Sequence, residues 1–304
     1  MWVAINLQYM GLLRKLFGKE EKMPVHKRKD EPDVYDVRDS EDSMNFAMEK
    51  ARLTLDYFKQ SLSSPGPHQQ YFSLKAKFEE NGQAEHIWLT DVSYDESSNF
   101  FGHIGNVPIN VTNVKEGQKV GVPFENVSDW MILENGKLIG GYTIRAIRDT
   151  MSDKERIAFD RSMNMVIDEG ADYFRHDLTT PEGAILCLED AYDAKDIDKA
   201  ISCKDFNEEA KLMLTKMKHL EVATEMDSIV TSMAEVLQLS FIKNISENFP
   251  NFIGITRAFP KREFVREDLM IVTEVCFYPD NTKSAQRLYV SRKNGEWKVL
   301  SLAD

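Results

Sequence analysis

Apolar positions change their period several times along the chain, and each change predicts a change of element. From Ser40 onward, Met44, Ala47, Met48, Ala51, Leu55 and Phe58 recur at three and four residues, which predicts one amphipathic helix of about five turns. It must end at "SSPGP", where two prolines and a glycine cannot continue the helical ladder. The period then falls to two. Tyr71, Ser73, Lys75 and Lys77 alternate with Phe72, Leu74, Ala76 and Phe78, the pattern of a half-buried antiparallel strand. Asn81–Gly82 predicts a tight hairpin, since both residues tolerate positive φ. In the return strand "AEHIWLTDV", His86, Trp88 and Thr90 point one way while Glu85, Ile87, Leu89 and Asp91 point the other. Glu85 and His86 are therefore sequence neighbours on opposite faces, which argues against a joint acid–base pair.

Shorter strand-like pieces follow in "FFGHIGNVP", "KEGQKVGVP" and "NVSDWMILENGKLIGGYTIRAI". Glycines at 102, 105, 117, 121, 136, 140 and 141 predict the tight turns of a small, strongly curved sheet that ends near Ile147. Ser152 and Glu155 have capping-box spacing and open a connecting helix. A second start follows at Thr180–Pro181–Glu182, with Ala184, Ile185, Leu188, Ala191 and Tyr192 on one face. Further helices are expected at about 196–202, 206–219 and 226–247. The last carries Met226, Ile229, Val230, Met233, Leu237, Phe241 and Ile245 in register. Strands then close the chain in "NFIGITRAF", "EDLMIVTEVCFYPDN", "SAQRLYVSR" and "EWKVLSL". Helices first and hairpin-linked strands afterwards give an α+β class, not a parallel β-α-β sheet. The expected organisation is a flexible leader at 1–40, a first domain at 41–150, a helical connector at 151–177 and a second domain at 178–304.

Composition narrows the function classes. With 304 residues, 42% hydrophobic and 29% charged, the chain is long enough for two folded domains. A formal net charge of -12 opposes phosphate backbones, so nucleic acid is not an expected partner. No apolar run reaches the roughly 18 residues of a membrane span. "MGLLRKLFGKEEK" at Met10 has the look of a bacterial N-terminus, so residues 1–9 are expected to come from an upstream start codon. Its Leu/Phe and Lys/Arg mixture is read as a mobile leader, not a membrane contact. Cys187, Cys203 and Cys276 form no C-x-x-C pair and leave one thiol over, which suits a reducing cytoplasm.

Two resemblances follow from the motifs. "MNFAMEKARLTLDYF", "FSLKAKF", "EHIWL", "FFGHIGNVP", "VKEGQKV", "VSDWMI" and "GGYTIR", in that order, resemble the bacterial domain of unknown function 2314 over about residues 41–150. That resemblance implies a bacterial source and no known activity. "TPEGAILCLEDAYDAKDIDKAI" and the terminal "LYVSRKNGEWKVLSL" resemble the nuclear transport factor two-like fold, which implies helices packed into a curved sheet as a cone. That fold hosts enzymes, adaptors and toxin-immunity proteins, so it does not decide function.

Candidate chemistry is sparse. Glu85, His86, Trp88, Asp129 and Trp130 form either a binding face of indoles and acids or, as expected here, core indoles and turn-satisfying polar groups. His86 and His103 lack metal-ligand spacing, so no metal is expected. Glu274 shares a strand face with Met270, Val272, Cys276 and Tyr278, which would bury a carboxylate fit for general-base work. The opposite row, Leu269, Ile271, Thr273, Val275 and Phe277, is more apolar and predicts Glu274 at the solvent face. His219 closes a helix, where a cation is structurally favourable. There is no phosphate loop, nucleophile elbow or kinase motif, so no cofactor and no nucleophile are expected. The expectation is a cytoplasmic bacterial binding protein without catalysis, engaging a protein partner such as a basic toxin. The alternative is a cone domain that binds or hydrolyses a small molecule with Glu274 and Tyr278 or Tyr289; a purely structural adaptor is the third.

Overall fold

The computed structural model describes residues 35–97, 99–216 and 226–303. Residues 1–34 of the leader expected at 1–40, His219 and the Met226 side chain lie outside them, while 35–40 belong to a helix. The chain forms two compact units, Met1–Gly170 and Ala171–Asp304, and the α+β class is observed in both.

The first unit opens with α1 (Tyr35–Leu53) and α2 (Leu55–Ser63). One continuous helix was expected; it is broken at Thr54 and starts before Ser40. The break has a local cause. Thr54 Oγ1 donates to the Lys50 carbonyl at 2.8 Å and accepts Trp130 Nε1 at 3.1 Å. Its side chain thus competes for helix carbonyls while fixing an indole. The apolar stripe survives the break, with Ala47, Ala51, Leu55 and Phe58 all buried.

Six strands follow: β1 (Gln69–Glu80), β2 (Gln83–Tyr94), β3 (Phe100–Ile104), β4 (Lys119–Val122), β5 (Val127–Glu134) and β6 (Lys137–Gly140). Their order is β4-β3-β2-β1-β5-β6, antiparallel throughout. The β1–β2 and β5–β6 hairpins turn at Asn81–Gly82 and Asn135–Gly136, all four residues having positive φ, as type I′ turns require. The sheet is covered on both faces. Phe58 packs on Trp130 at 5.5 Å between ring centroids, and on Phe72 and Phe100. Across the sheet, Trp88, Met131 and Leu138 meet Ile144, Phe159, Met163 and Ile167. The second cover comes from α3 (Tyr142–Asp149), α4 (Asp153–Met163) and the segment after it. For this reason β1 is not half-buried as its alternation predicts: Ser73, Leu74, Lys75 and Ala76 are all enclosed, as are Ile87, Trp88 and Leu89 of β2. α3 itself departs from expectation, since "GGYTIRAI" read as a strand.

The second unit carries α5 (Pro181–Asp193), α6 (Ile197–Ser202), α7 (Phe206–Lys216) and α8 (Met226–Glu247). Then come β7 (Thr256–Arg266), β8 (Leu269–Phe277), β9 (Lys283–Lys293) and β10 (Glu296–Leu302), in the order β10-β9-β8-β7. Thr180 caps α5 by accepting Gly183 N at 3.0 Å. Every residue of α5 from Pro181 to Glu189 is buried, more than the single face expected, because the helix is met by α6 as well as by β8 and β10. α7 and α8 share a smaller core of Phe206, Ala210, Leu214, Val230 and Ala234. Ile229 is exposed, against the expected stripe, because the seam runs through Val230, Ala234, Leu237 and Phe241, which lie on one side of the helix.

Gly140 is the position in the first unit where a side chain is least tolerated. Its φ is +69°, and an added Cβ would lie 2.5 Å from the Trp130 carbonyl oxygen and 2.6 Å from the indole ring. Gly136 has a similar φ of +78° with nothing within 4 Å. Gly140→Ala is therefore expected to destabilise by about 2–4 kcal/mol, conformational strain plus overpacking. Gly136→Ala loses only the conformational part, about 1–2 kcal/mol. Urea midpoints of the two variants check the difference.

Candidate functional site

The first-unit residues of interest are divided between the two faces of the sheet. Pairing places Lys75 opposite both Trp88 and Asp129, so Trp88, Asp129 and His86 share one side. Leu74 pairs with Leu89 and with Trp130, so Trp130, Ile87 and Glu85 share the other. No single binding face joins all five. Glu85 accepts Ile109 N at 2.8 Å and Asn110 N at 2.8 Å, fastening the loop after β3. Trp130 Nε1 donates to the Ala51 carbonyl at 3.1 Å, and its ring lies in the core.

Asp129 is 0% exposed. Its Oδ1 accepts Trp130 N and Tyr142 N at 2.8 and 3.1 Å, and its Oδ2 accepts Thr143 N and Thr143 Oγ1 at 2.8 and 2.6 Å. Two of these donors are the first amides of α3, so a carboxylate thirteen residues upstream caps that helix. This explains why "YTIRAI" is helical. Burial raises the Asp129 carboxyl; the Thr143 hydroxyl and the Lys75 charge pull against it. Lys75 Nζ donates to Thr143 Oγ1 at 3.3 Å and sits 5.8 Å from the Trp88 ring centroid. Burial pushes the Lys75 amine down to about 8, although Asp129 opposes it. His86 is brought down to about 4, chiefly by burial and then by the charges of Lys75, Lys77 and Arg52.

In the second unit Glu274 contradicts the expected solvent face. It is 0% exposed, and the row Met270, Val272, Glu274 and Cys276 is buried against the helices. The less apolar row is the more deeply covered one, because partners from other elements meet the carboxylate. Glu189 of α5, 3% exposed, lies beside it. A carboxylate oxygen of Glu189, one of Glu274 and Cys276 Sγ lie within 4.8 Å of one another. Arg257 of β7 ion-pairs Glu189 Oε2 at 2.7 Å, and Gln286 Nε2 donates to Glu274 Oε2 at 2.6 Å. Apart from contacts within the Glu189–Glu274–Cys276 cluster, Oε1 of each glutamate has no hydrogen-bond partner among the described residues. Burial, then the charge of Glu274, push Glu189 up to about 9 against the pull of Arg257. Burial leads the causes that push the Cys276 thiol up to about 12.

Neither expected tyrosine joins this cluster. Glu274 pairs with Gln286 and Ile271 with Tyr289, which puts Tyr289 on the opposite face of the sheet. Tyr278 is exposed beyond the end of β8 and bonds Ser284. Glu189, Arg257 and Gln286 had no signal in the sequence: each reads as an ordinary polar residue within an amphipathic element.

Comparison with known proteins bears on the first unit. The family described as "Uncharacterized protein conserved in bacteria (DUF2314)" matches residues 41–166. The uncharacterized protein YegJ of Escherichia coli (strain K12) is 37% identical over 113 residues, 37% of this chain and 72% of that protein. The chain belongs to the DUF2314 family. A protein of Neisseria meningitidis serogroup B (strain ATCC BAA-335 / MC58), provisionally called an ankyrin repeat protein, is 33% identical over 135 residues, 42% of this chain. This chain spans only 53% of that relative's length. A crystal structure from Campylobacter jejuni, provisionally called an NTF2-like transpeptidase, aligns with 40% of this chain and 97% of its own, at a TM-score of 0.22 and 10% identity. Glu189, Arg257, Glu274 and Cys276 lie outside the family-matched residues.

The buried bases of the first unit set its pH dependence. Below about pH 8 Lys75 is charged in both states; between about 8 and 10.5 the folded chain sheds the proton while the unfolded chain keeps it. Folding stability therefore gains from Lys75 as pH rises through that window, on the order of 3 kcal/mol if the difference is fully expressed. His86 acts likewise lower down, its contribution being regained as pH rises from about 4 to 6.5. Denaturant midpoints measured from pH 4 to 10.5 should lose the alkaline rise in Lys75→Met and the acid rise in His86→Gln. Unchanged profiles in these variants would contradict the assignments.

Proposed function

We propose that the chain is a bacterial binding protein whose second unit holds a small ligand at Glu189 and Glu274, between α5 and β8. The first unit is a scaffold of fixed acids and indoles. One observation supports the reading above others: two enclosed carboxyl groups stand side by side, and no described residue outside the cluster donates a hydrogen bond to Oε1 of either. Unmet acceptors of this kind are costly and cluster at functional sites. The shortage is not general to α5, since Glu182 of the same helix is also enclosed yet binds Arg262 through both oxygens, at 2.6 and 2.7 Å. A ligand bringing hydrogen-bond donors or positive charge supplies what the protein withholds. Three buried free cysteines suit a reducing cytoplasm for this protein.

A second reading, contact with a basic protein partner such as a toxin, draws on the net charge of -12 and on the exposed side chains of Ile253 and Phe264, 73% and 75% accessible. Affinity capture from the native host tests it, and recovery of no specific protein would count against it.

Glu274→Gln distinguishes a ligand site from a structural pair. The amide keeps the Gln286 bond and can donate to Glu189, filling an acceptor that is now empty. If the pair is held for a ligand, the variant should gain about 1–3 kcal/mol in ligand-free thermal unfolding. A loss of similar size would mean that the pair holds the fold together, and would sink the proposal.

A further inference from the structure

The same cluster has the composition of a metal centre, and we propose that Glu189, Glu274 and Cys276 bind one divalent cation of the zinc class. The inference rests on reading the cluster as a ligand site and names its occupant. Glu274 and Cys276 are two residues apart on β8 and share its helix-facing side, while Glu189 approaches from α5. Each carboxylate is held by a neighbour at Oε2, Glu189 by Arg257 and Glu274 by Gln286, and each leaves Oε1 facing only the other members of the cluster among the described residues. Such outer partners are what orient the ligands of a metal site.

Charge agrees with the geometry. Binding of the ion displaces the protons of Glu189 and Cys276 to solvent; the resulting two carboxylates and thiolate carry three negative charges, which Arg257 and a divalent ion cancel to zero. The donor set selects the ion. Two oxygens and one sulfur suit borderline zinc or cobalt, whereas calcium and magnesium want oxygen alone and in greater number. A tetrahedral zinc with bonds of 2.0–2.3 Å needs ligand atoms roughly 3.5 Å apart, so the present spread of up to 4.8 Å closes by about an ångström or less per side chain. Three protein ligands leave a fourth position for water or a small molecule.

The test is titration of the full chain, stripped of metal by chelation, with Co²⁺ and then Zn²⁺. The expected result is one ion per chain with a sulfur-to-cobalt charge-transfer band that Zn²⁺ abolishes. Cys187 and Cys203 lie beside each other and provide the control. The band should persist in a Cys187→Ala/Cys203→Ala variant and vanish in Cys276→Ala. Glu189→Gln, which leaves all three thiols in place, should weaken Zn²⁺ by more than roughly 100-fold, because even outer partners are worth about 10–100-fold. It decides the matter if Cys276→Ala does not fold. No saturable uptake by the wild-type chain, a band that survives Cys276→Ala, or unchanged affinity in Glu189→Gln would each overturn the proposal. If uptake fails while Glu274→Gln is still stabilising, the ion is wrong and the ligand site stands; if Glu274→Gln is destabilising, both fall.

Discussion

A carboxylate removed from water must be met by donors or by opposite charge, and the described structure is organised around how each buried acid meets that demand. Asp129 receives four donors, and in doing so starts α3 and anchors Thr143 against Lys75. Glu85 receives two loop amides. Glu182 takes a guanidinium on both oxygens. In each case the acid is fully engaged in holding one element to another. Glu189 and Glu274 alone among these acids are enclosed together and incompletely met, and that difference in satisfaction is what separates scaffold from site.

Satisfaction also explains why the first unit offers so little chemistry despite its aromatic and acidic motifs. Trp88 and Trp130 lie on opposite faces of one sheet, each the centre of its own cluster. The acids beside them are bound to backbone amides, and the lysine between them is buried against an indole. A surface that bound a partner through these groups would have to unmake the contacts that hold β1, β5 and α3 together. The motifs shared with the family therefore describe a way of folding before they describe a reaction.

Local periodicity carried most of the fold. The α1–α2 stripe, the Asn81–Gly82 hairpin, the Thr180 cap and the four terminal strands were all legible, because each depends on residues close in sequence. What escaped depended on distant partners. The Thr54 break requires Trp130, and the α3 helix requires Asp129 from a different strand. Burial of Glu274 requires Glu189, Arg257 and Gln286, contributed by α5, β7 and β9. Alternation along β8 placed Glu274 with Cys276 correctly but could not say which face was covered, since both rows are apolar enough to be buried and Leu269 and Val272, on opposite faces, are both enclosed. Tyr278 and Tyr289 were reasonable companions by proximity in sequence and type; register and exposure remove them.

The central claim is that the empty acceptors of Glu189 and Glu274 belong to a ligand. A crystal structure of the full chain purified from its native host, with anomalous data, tests it most directly. The account predicts density from a third species touching both carboxylates. Two carboxyls sharing a proton at roughly 2.5–2.7 Å with nothing between or beside them would contradict it.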